Sequence, residues 1–234
     1  MTNHPRDNNH YALTKEVFRH SAIHQQGYYD SQSGKKLKHS FWQLWVRRIV
    51  VRTLDELLAG DPGVTRILDV GCGRGDLTIA LANRYPHLTG LRGSDFCHEA
   101  LEIAIADAQS HKNVFFQEAN VLEMPFKEGS FDVTLCINVL HHIYDSDLEI
   151  ALRELARITK KYLILEIKNK NNPYYKSITS RSVHPGARLA VFPSSPDQIG
   201  AMLSSCRFQI MQAKGLVPVM WLSPLLVQVY KRSS

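Results

Sequence analysis

The sequence predicts an α/β fold built on a doubly wound, mainly parallel sheet of seven strands. From residue 66 onward, short apolar runs alternate with segments whose apolar residues recur at helical spacing. The first apolar run ends in a glycine-rich turn, Gly71-Cys72-Gly73-Arg74-Gly75. Because parallel strands need crossover connections, this alternation favours helices on both faces of the sheet.

The part of the chain before the first strand is predicted to be helical where it approaches the sheet. Residues 1–40 are polar. Apolar residues recur at helical spacing over 41–58, and the Gly- and Pro-containing sequence 60–63 is expected to end this helix. We therefore expect residues 1–60 to form a helical cover or substrate lid. Residues 61–234 are expected to form one globular domain.

The remaining elements follow from apolar runs and turn residues. Pro196 is expected to begin a helix behind a Ser195 cap, and Ser146 or Asp145 is expected to cap an earlier one. Residues 169–195 are expected to be a loop-rich insert. The predicted strands are 66–70, 88–94, 114–118, 131–138, 162–167, 208–213 and 225–231, and the helices between them are 76–84, 99–109, 146–159 and 196–205.

Composition limits the class of protein. Hydrophobic residues make up 44% and charged residues 21% of the 234 positions, which is typical of a globular domain. No uncharged apolar stretch reaches the roughly 20 residues that span a bilayer, and the start lacks the apolar run of a signal peptide. The four cysteines form no CxxC pair, so we expect a reducing cytoplasm, no metal site and no disulfide framework.

Charge is distributed unevenly along the chain. Residues 1–150 carry a net charge of −4, whereas residues 151–234 carry +10. A basic C-terminal third could attract an anionic substrate, a membrane surface or nucleic acid, or it could be solvated surface. Charge alone leaves these alternatives open.

The glycine turn indicates a nucleotide-like ligand but not a nicotinamide dinucleotide. The dinucleotide fingerprint GxGxxG would need glycine at position 76, where this chain has Asp76. An acidic side chain in the first helical turn repels a pyrophosphate but tolerates a cofactor that carries a sulfonium and an ammonium group.

Three further motifs follow the glycine turn in order. Asp95 lies 20 residues after Gly75, at the end of the second predicted strand. Residues 120–126 read NVLEMPF and are followed by GSFD at 129–132. Residues 136–143 read CINVLHHI, at the end of the fourth predicted strand. With the glycine turn, these motifs resemble the class I S-adenosylmethionine-dependent methyltransferases, in the branch that acts on quinones and natural products.

The resemblance covers about residues 67–166 and implies a Rossmann-like fold that binds S-adenosylmethionine and releases S-adenosylhomocysteine. It implies that Asp95 takes the ribose hydroxyls. Asn120 stands where the family has Asp and would accept from the adenine amino group without a charge. Asp69 would hold the glycine loop near the methionine part of the cofactor. The full set of implied cofactor-binding residues is Asp69, Gly71, Cys72, Gly73, Gly75, Asp95, Phe96, Asn120, Val121 and Asn138.

Methyl transfer requires alignment, exclusion of water and removal of a proton, but no covalent nucleophile. His142 and His141 are the candidate bases, because imidazole titrates nearest to neutral pH, and their rings are expected to point in different directions. Tyr28 and Tyr29 would close over the cofactor. Ordinary packing is the alternative for each of these side chains.

The insert and the aromatic residues suggest an acceptor. Arg181, His184 and Arg188 could clamp an anionic group, or could be plain surface residues. Asn172-Pro173-Tyr174 resembles part of the Asn-Pro-Pro-Tyr tetrad of amino-group methyltransferases, but it follows the fifth strand instead of the fourth, which argues against a base-modifying enzyme. Apolar walls could come from Trp42, Trp45, Phe192, Met220 and Trp221.

The leading hypothesis is therefore methyl transfer to oxygen or carbon of a small quinone-, phenol- or polyketide-like acceptor. An RNA or protein methyltransferase is the enzymatic alternative, although nucleic acid is not the expected partner. A cofactor-binding partner protein without activity is the third. The sequence leaves open the oligomeric state and whether residues 215–230 contact a membrane, a partner or only the core.

Overall fold

A computed structural model describes residues 11, 12, 14–16, 19, 41–173, 175 and 191–233. Within these residues the chain forms one seven-stranded sheet in the order β3-β2-β1-β4-β5-β7-β6. The strands are β1 Arg66–Val70, β2 Gly90–Asp95, β3 Val114–Glu118, β4 Phe131–Cys136, β5 Thr159–Lys168, β6 Phe208–Gly215 and β7 Leu225–Arg232. The helices are α1 Phe41–Gly60, α2 Asp76–Arg84, α3 His98–Asp107, α4 Leu148–Ile158 and α5 Pro196–Ser205.

Strands β1 to β5 are parallel, and only β7 runs antiparallel to its neighbours β5 and β6. Val70 pairs with Ser94 of β2 and Cys136 of β4, and Cys136 pairs with Leu165 of β5. The ends of these strands therefore form one edge, which we call the carboxyl edge. The strand order reverses between β1 and β4, and in open α/β sheets this is the point where ligands bind.

The sheet has an apolar core on each face. Alternate residues of a strand point to opposite faces, so Ile67 packs with Leu54 of α1 and Leu81 of α2, whereas Leu68 packs with Leu152 of α4. All five side chains are fully or almost fully buried. This layering confirms the predicted doubly wound, mainly parallel fold.

The types of the predicted elements are confirmed from α1 to β7, and several of their ends differ. β4 ends at Cys136 instead of residue 138, because Asn138 has a positive φ of 63° that no strand accommodates. β5 begins at Thr159 and not at residue 162. The prediction that Ser146 or Asp145 caps α4 is wrong. The N-cap is Asp147, without a side-chain cap, because the carbonyl of Tyr144 already accepts from the N–H groups of Asp147 and Leu148.

Two further sequence expectations concern single side chains and the membrane. Ser195 occupies the N-cap position of α5, but its side chain makes no capping hydrogen bond. The buried Oδ2 of Asp132 accepts from the backbone N–H groups of Thr65 and Arg66 and so joins the start of β1 to β4. In the described ranges, no helix combines the length and apolar character needed to cross a bilayer.

Candidate active site

The glycine loop between β1 and α2 is held in a left-handed backbone conformation. Gly71, Gly73 and Gly75 have φ angles of 72°, 53° and 76°, which side chains rarely tolerate. A Cβ at Gly71 would clash with Val139, and one at Gly75 would lie 2.8 Å from Cζ of Phe116. A Cβ at Gly73 would meet no atom within 4 Å. Gly73 therefore borders open space at the carboxyl edge, where a ligand can approach the backbone.

The loop is fastened to the end of β2. The N–H groups of Gly71 and Cys72 donate to the carbonyl of Ser94 at 2.7 and 3.0 Å. The N–H of Gly73 donates to Oδ2 of Asp95 at 2.8 Å, and Oδ1 of Asp95 accepts from the N–H of Cys97 at 2.9 Å. A carboxylate has about four acceptor positions, so Asp95 keeps capacity for ribose hydroxyls. Its burial raises its pKa.

Asp69 lies beneath the same loop and is only 3% exposed. Its Oδ2 accepts from the hydroxyl of Thr78 in α2 at 2.8 Å. Burial raises the pKa of Asp69 to about 7, and the nearby carboxylate of Asp95 contributes in the same direction. Asp69 therefore ties β1 to α2 through a side chain, while Gly75 occupies the N-cap of the helix.

The loop after β3 forms the third side of the space. Asp95 pairs with Glu118 in the sheet register, so Asn120 follows β3 next to the end of β2. The side chain of Asn120 is exposed, and its Oδ1 accepts from the N–H of Leu122 at 3.0 Å. The side chain of Val121 is buried in the core, whereas Phe96 is half-buried beside Asp95. The side chains of Asn120 and Phe96 are therefore accessible, whereas that of Val121 is not.

The two histidines lie in a single 3-10 turn, Leu140–His142, directly after β4 and the exposed Asn138. Both are buried, and their ring centroids are 4.1 Å apart at an interplanar angle of 46°. The two rings therefore lie against each other in this turn. Burial above all, with smaller contributions from the neighbouring His142 and Lys168, lowers the pKa of His141 well below its usual value. His141 is therefore a neutral imidazole at physiological pH.

Sequence reasoning missed an ion pair at the end of β5. Nζ of Lys168 lies 2.8 Å from Oε1 of Glu166, and the two side chains are 12% and 3% exposed. Two opposite charges directly after the apolar run 162–165 were the available signal. The pair lies at the carboxyl edge near His141, and the charge of Lys168 is one of the causes that lower the pKa of His141.

Described residues of the N-terminal segment contact both sides of the carboxyl edge. Oη of Tyr11 donates to Oδ2 of Asp147 at 2.8 Å, near the histidine turn. Lys15 pairs with Glu118 at 3.2 Å, and Arg19 pairs with Glu99 at 2.9 Å. These contacts run from the β4 side of the edge to the β2–β3 side.

The end of the insert also returns to the histidine turn. The N–H of Phe192 donates to the carbonyl of His141 at 2.8 Å, and its ring lies 4.9 Å from that of Tyr144. Met220 is half-buried against the core, whereas Trp221 is 59% exposed. The candidate residues Tyr28, Tyr29, Arg181, His184 and Arg188 lie outside the described residues.

Comparison with known proteins points to one enzyme family. Residues 67–162 match the family profile described as a methyltransferase domain. The chain is 37% identical over 122 residues to 2-phytyl-1,4-naphtoquinone methyltransferase of Nostoc sp. This alignment covers 50% of this chain and 52% of that protein. It is 32% identical over 117 residues to demethylmenaquinone methyltransferase of Staphylococcus aureus, covering 49% and 48%. The chain thus spans about half the length of the curated relatives it matches.

Among solved structures, magnesium protoporphyrin IX methyltransferase of Synechocystis PCC 6803 with bound SAH matches with a TM-score of 0.69 at 20% identity. This match covers 95% of this chain and all of that one, and at such identity it shows the fold. The profile match over 67–162 supports the predicted class I S-adenosylmethionine-dependent methyltransferase domain, and the structural match shows the same fold.

Proposed function

We propose that this protein transfers a methyl group from S-adenosylmethionine to oxygen or carbon of a small hydrophobic acceptor of the quinone or phenol class. One observation carries the proposal more than any other. The open space at Gly73 lies against Asp95, at the point where the strand order of the sheet reverses. This is a cradle for an adenosine-containing ligand without a pyrophosphate.

The residues around the cradle suit each part of that cofactor. Asp95 would accept from the ribose hydroxyls. Because Gly73 has no side chain, the cofactor could approach the backbone closely there. Asn120 and Phe96 would face the adenine. Burial raises the pKa of Asp69 to about 7 although Arg47 acts in the opposite direction, and a cationic ligand at the loop would lower this pKa further.

The cofactor supplies an activated methyl group on its sulfonium. The chain itself needs to align the acceptor behind that methyl, exclude water and take a proton from an acceptor hydroxyl. His142 is the proposed base, because it lies in the turn at the carboxyl edge and is 6% exposed. The neutral His141, packed against it, would keep the His142 ring in place.

The acceptor class is proposed from the curated relatives and from the cover of the site. Both named relatives are quinone methyltransferases. Tyr11 and Phe192 bring the N-terminal segment and the insert against the histidine turn, which suits a small enclosed acceptor better than a macromolecule. Asn172, part of the tetrad-like sequence, donates to the carbonyl of Leu222 at 2.7 Å and is 5% exposed. Its role is structural, which further disfavours base modification.

The proposal is tested by incubating the protein with methyl-labelled S-adenosylmethionine and an extract of the cells that produce it. We expect label in the fraction that organic solvent extracts, and none with the Gly73→Val variant. Label that nuclease or protease releases would instead support the RNA or protein alternative. If no fraction is labelled although the cofactor binds, the result favours the hypothesis of a cofactor-binding partner protein without activity.

A further inference from the structure

The turn between β6 and β7 exposes an unusual amount of apolar surface. We call residues 216–224 the apolar hairpin. Its side chains Val217, Val219, Trp221 and Leu222 are 39%, 45%, 59% and 43% exposed. No charged residue occurs between Gly215 and Pro224. Contiguous exposed apolar side chains of this kind mark an interaction site.

The apolar hairpin is held in one conformation from beneath. Nδ2 of Asn169 donates to the carbonyls of Met220 and Ser223 at 3.2 and 2.9 Å, and Nδ2 of Asn172 donates to that of Leu222. The buried hydroxyl of Ser223 accepts from the N–H of Leu216 at 2.7 Å. Leu216 and Met220 pack inward against the two cores. Because these backbone groups are already paired, the tip can enter an apolar medium without leaving them unsatisfied.

The apolar hairpin lies at the carboxyl edge. Leu225, the first residue of β7, pairs with Lys168 at the end of β5. The backbone N–H of Asn169 donates to the carbonyl of Pro224 at 2.9 Å. The hairpin is thus next to the strand end that carries the Glu166–Lys168 pair, on the same edge as His141 and His142.

Basic residues adjoin this apolar surface in the chain. Residues 169–195 contain Lys170, Lys176, Arg181 and Arg188 and no acidic residue. Both ends of this segment are anchored beside the hairpin, since Asn169 bridges to Ser194 and the N–H of Ser194 donates to the carbonyl of Lys168. The edge therefore combines an uncharged apolar tip with a tethered segment of net positive charge.

We propose that the apolar hairpin docks the protein on an anionic lipid bilayer, with Trp221 at the interface. Tryptophan favours the headgroup level of a membrane, and each nearby basic residue strengthens attachment to anionic lipid. A second copy of the chain is a poorer occupant, because pairing two such edges would bring two basic segments together. Docking here turns the candidate active site towards the bilayer, from which a lipid-soluble acceptor could enter. The docking itself does not depend on the proposed methyl transfer.

The test is co-sedimentation of the full chain with vesicles of phosphatidylcholine alone and of phosphatidylcholine with phosphatidylglycerol. We expect binding to the anionic vesicles that weakens as salt is raised. We expect the double variant Trp221→Ser, Leu222→Ser to bind at least about tenfold more weakly, since it removes the two central apolar side chains of the tip. The matched control is Ile105→Ser in α3, whose side chain is 53% exposed and which should bind as the parent does.

Two results would overturn the docking proposal. One is equal binding of the parent and the double variant to anionic vesicles, with the variant's thermal transition unchanged. The other is absence of vesicle binding together with a dimer in sedimentation velocity that the double variant abolishes, which would assign the hairpin to a second copy. Neither result bears on methyl transfer, which is measured separately with a water-soluble acceptor.

Discussion

At the scale of single residues, the candidate site depends on two hydrogen-bonded neighbours from different strands. Gly73 provides the open space and Asp95 provides the acceptor atoms, and the 2.8 Å bond between them fixes their relation. Their types and order could be predicted from the sequence. The bond itself could not be predicted, because it joins the loop after β1 to the last residue of β2, and their distance depends on how these two strands pair.

Gly73→Val is expected to weaken S-adenosylmethionine binding by about 100-fold or more, equivalent to roughly 3 kcal/mol. The branched side chain fills the open space, and a β-branched residue is strained at φ 53°. Isothermal titration calorimetry measures the affinity. The control is Gly60→Val at the end of α1, where a Cβ likewise meets nothing within 4 Å. Unchanged affinity in Gly73→Val would contradict the position of the cofactor.

His142→Ala is expected to lower kcat by about 100-fold at saturating cofactor, the lower end of what a general base contributes. Cofactor affinity should stay nearly unchanged, because none of the residues proposed to hold the cofactor belongs to the histidine turn. The control is His87→Ala, at an exposed position. Full retention of kcat in His142→Ala would remove His142 as the base.

Asp69→Asn is expected to change how the stability of the cofactor-free protein depends on pH. The folded-state pKa of Asp69, about 7, exceeds its unfolded value of about 3.9. The folded state therefore holds this proton more tightly, and this contribution to stability declines as pH rises from about 4 to about 7, with a slope of up to about 1.4 kcal/mol per pH unit.

Urea unfolding of both proteins across that range measures the difference. The lowered pKa of His141 acts in the opposite direction, with stability lost as pH falls below about 6.5. It is present in both proteins and cancels in the comparison. The stability of Asp69→Asn relative to the parent should therefore increase with pH. A difference that does not vary with pH would show that Asp69 titrates normally.

At the scale of elements, the sequence predicts whether a segment is a helix or a strand better than it predicts where that element begins and ends. Apolar runs and helical spacing predict every strand and helix from α1 to β7, because burial on the sheet imposes those periods. The start of α4 could not be predicted, because no side chain caps it. The N–H groups of Asp147 and Leu148 donate instead to the carbonyl of Tyr144. The Glu166–Lys168 pair was missed because its significance depends on the proximity of His141, which comes from another strand.

Tyr11→Phe is expected to loosen the N-terminal segment from the carboxyl edge. It removes the hydrogen bond to the Asp147 carboxylate, and such bonds to charged groups contribute roughly 1.5–3 kcal/mol. Tryptic cleavage after Arg19 should become faster, and KM for the acceptor should rise while kcat changes little.

The control for this variant is Lys15→Gln. Its ion pair with Glu118 is about half exposed at both partners and should contribute only about 0–1 kcal/mol. Equal cleavage rates and equal KM values in Tyr11→Phe and the parent would show that this contact does not hold the segment.

At the scale of the whole molecule, strand order explains why motifs far apart in sequence form one site. The order β3-β2-β1-β4-β5 brings the ends of these strands to one edge, so the glycine loop, Asp95, Asn120 and the histidine turn all lie along that edge. The apolar hairpin reaches the same edge because β7 is antiparallel to β5. The sequence could predict the first arrangement from its motifs. The second could not be predicted, since nothing local specifies the pairing partner of β7.

The central claim is transfer of a methyl group from S-adenosylmethionine to a small acceptor of the quinone or phenol class. The most direct measurement is mass spectrometry of the purified protein incubated with the cofactor and a panel of reduced naphthoquinones and phenols. We expect one acceptor to become heavier by a single methyl group, with an equal amount of S-adenosylhomocysteine formed. If the cofactor binds but no acceptor in the panel is methylated, while RNA or protein in the same assay is, the central claim is contradicted.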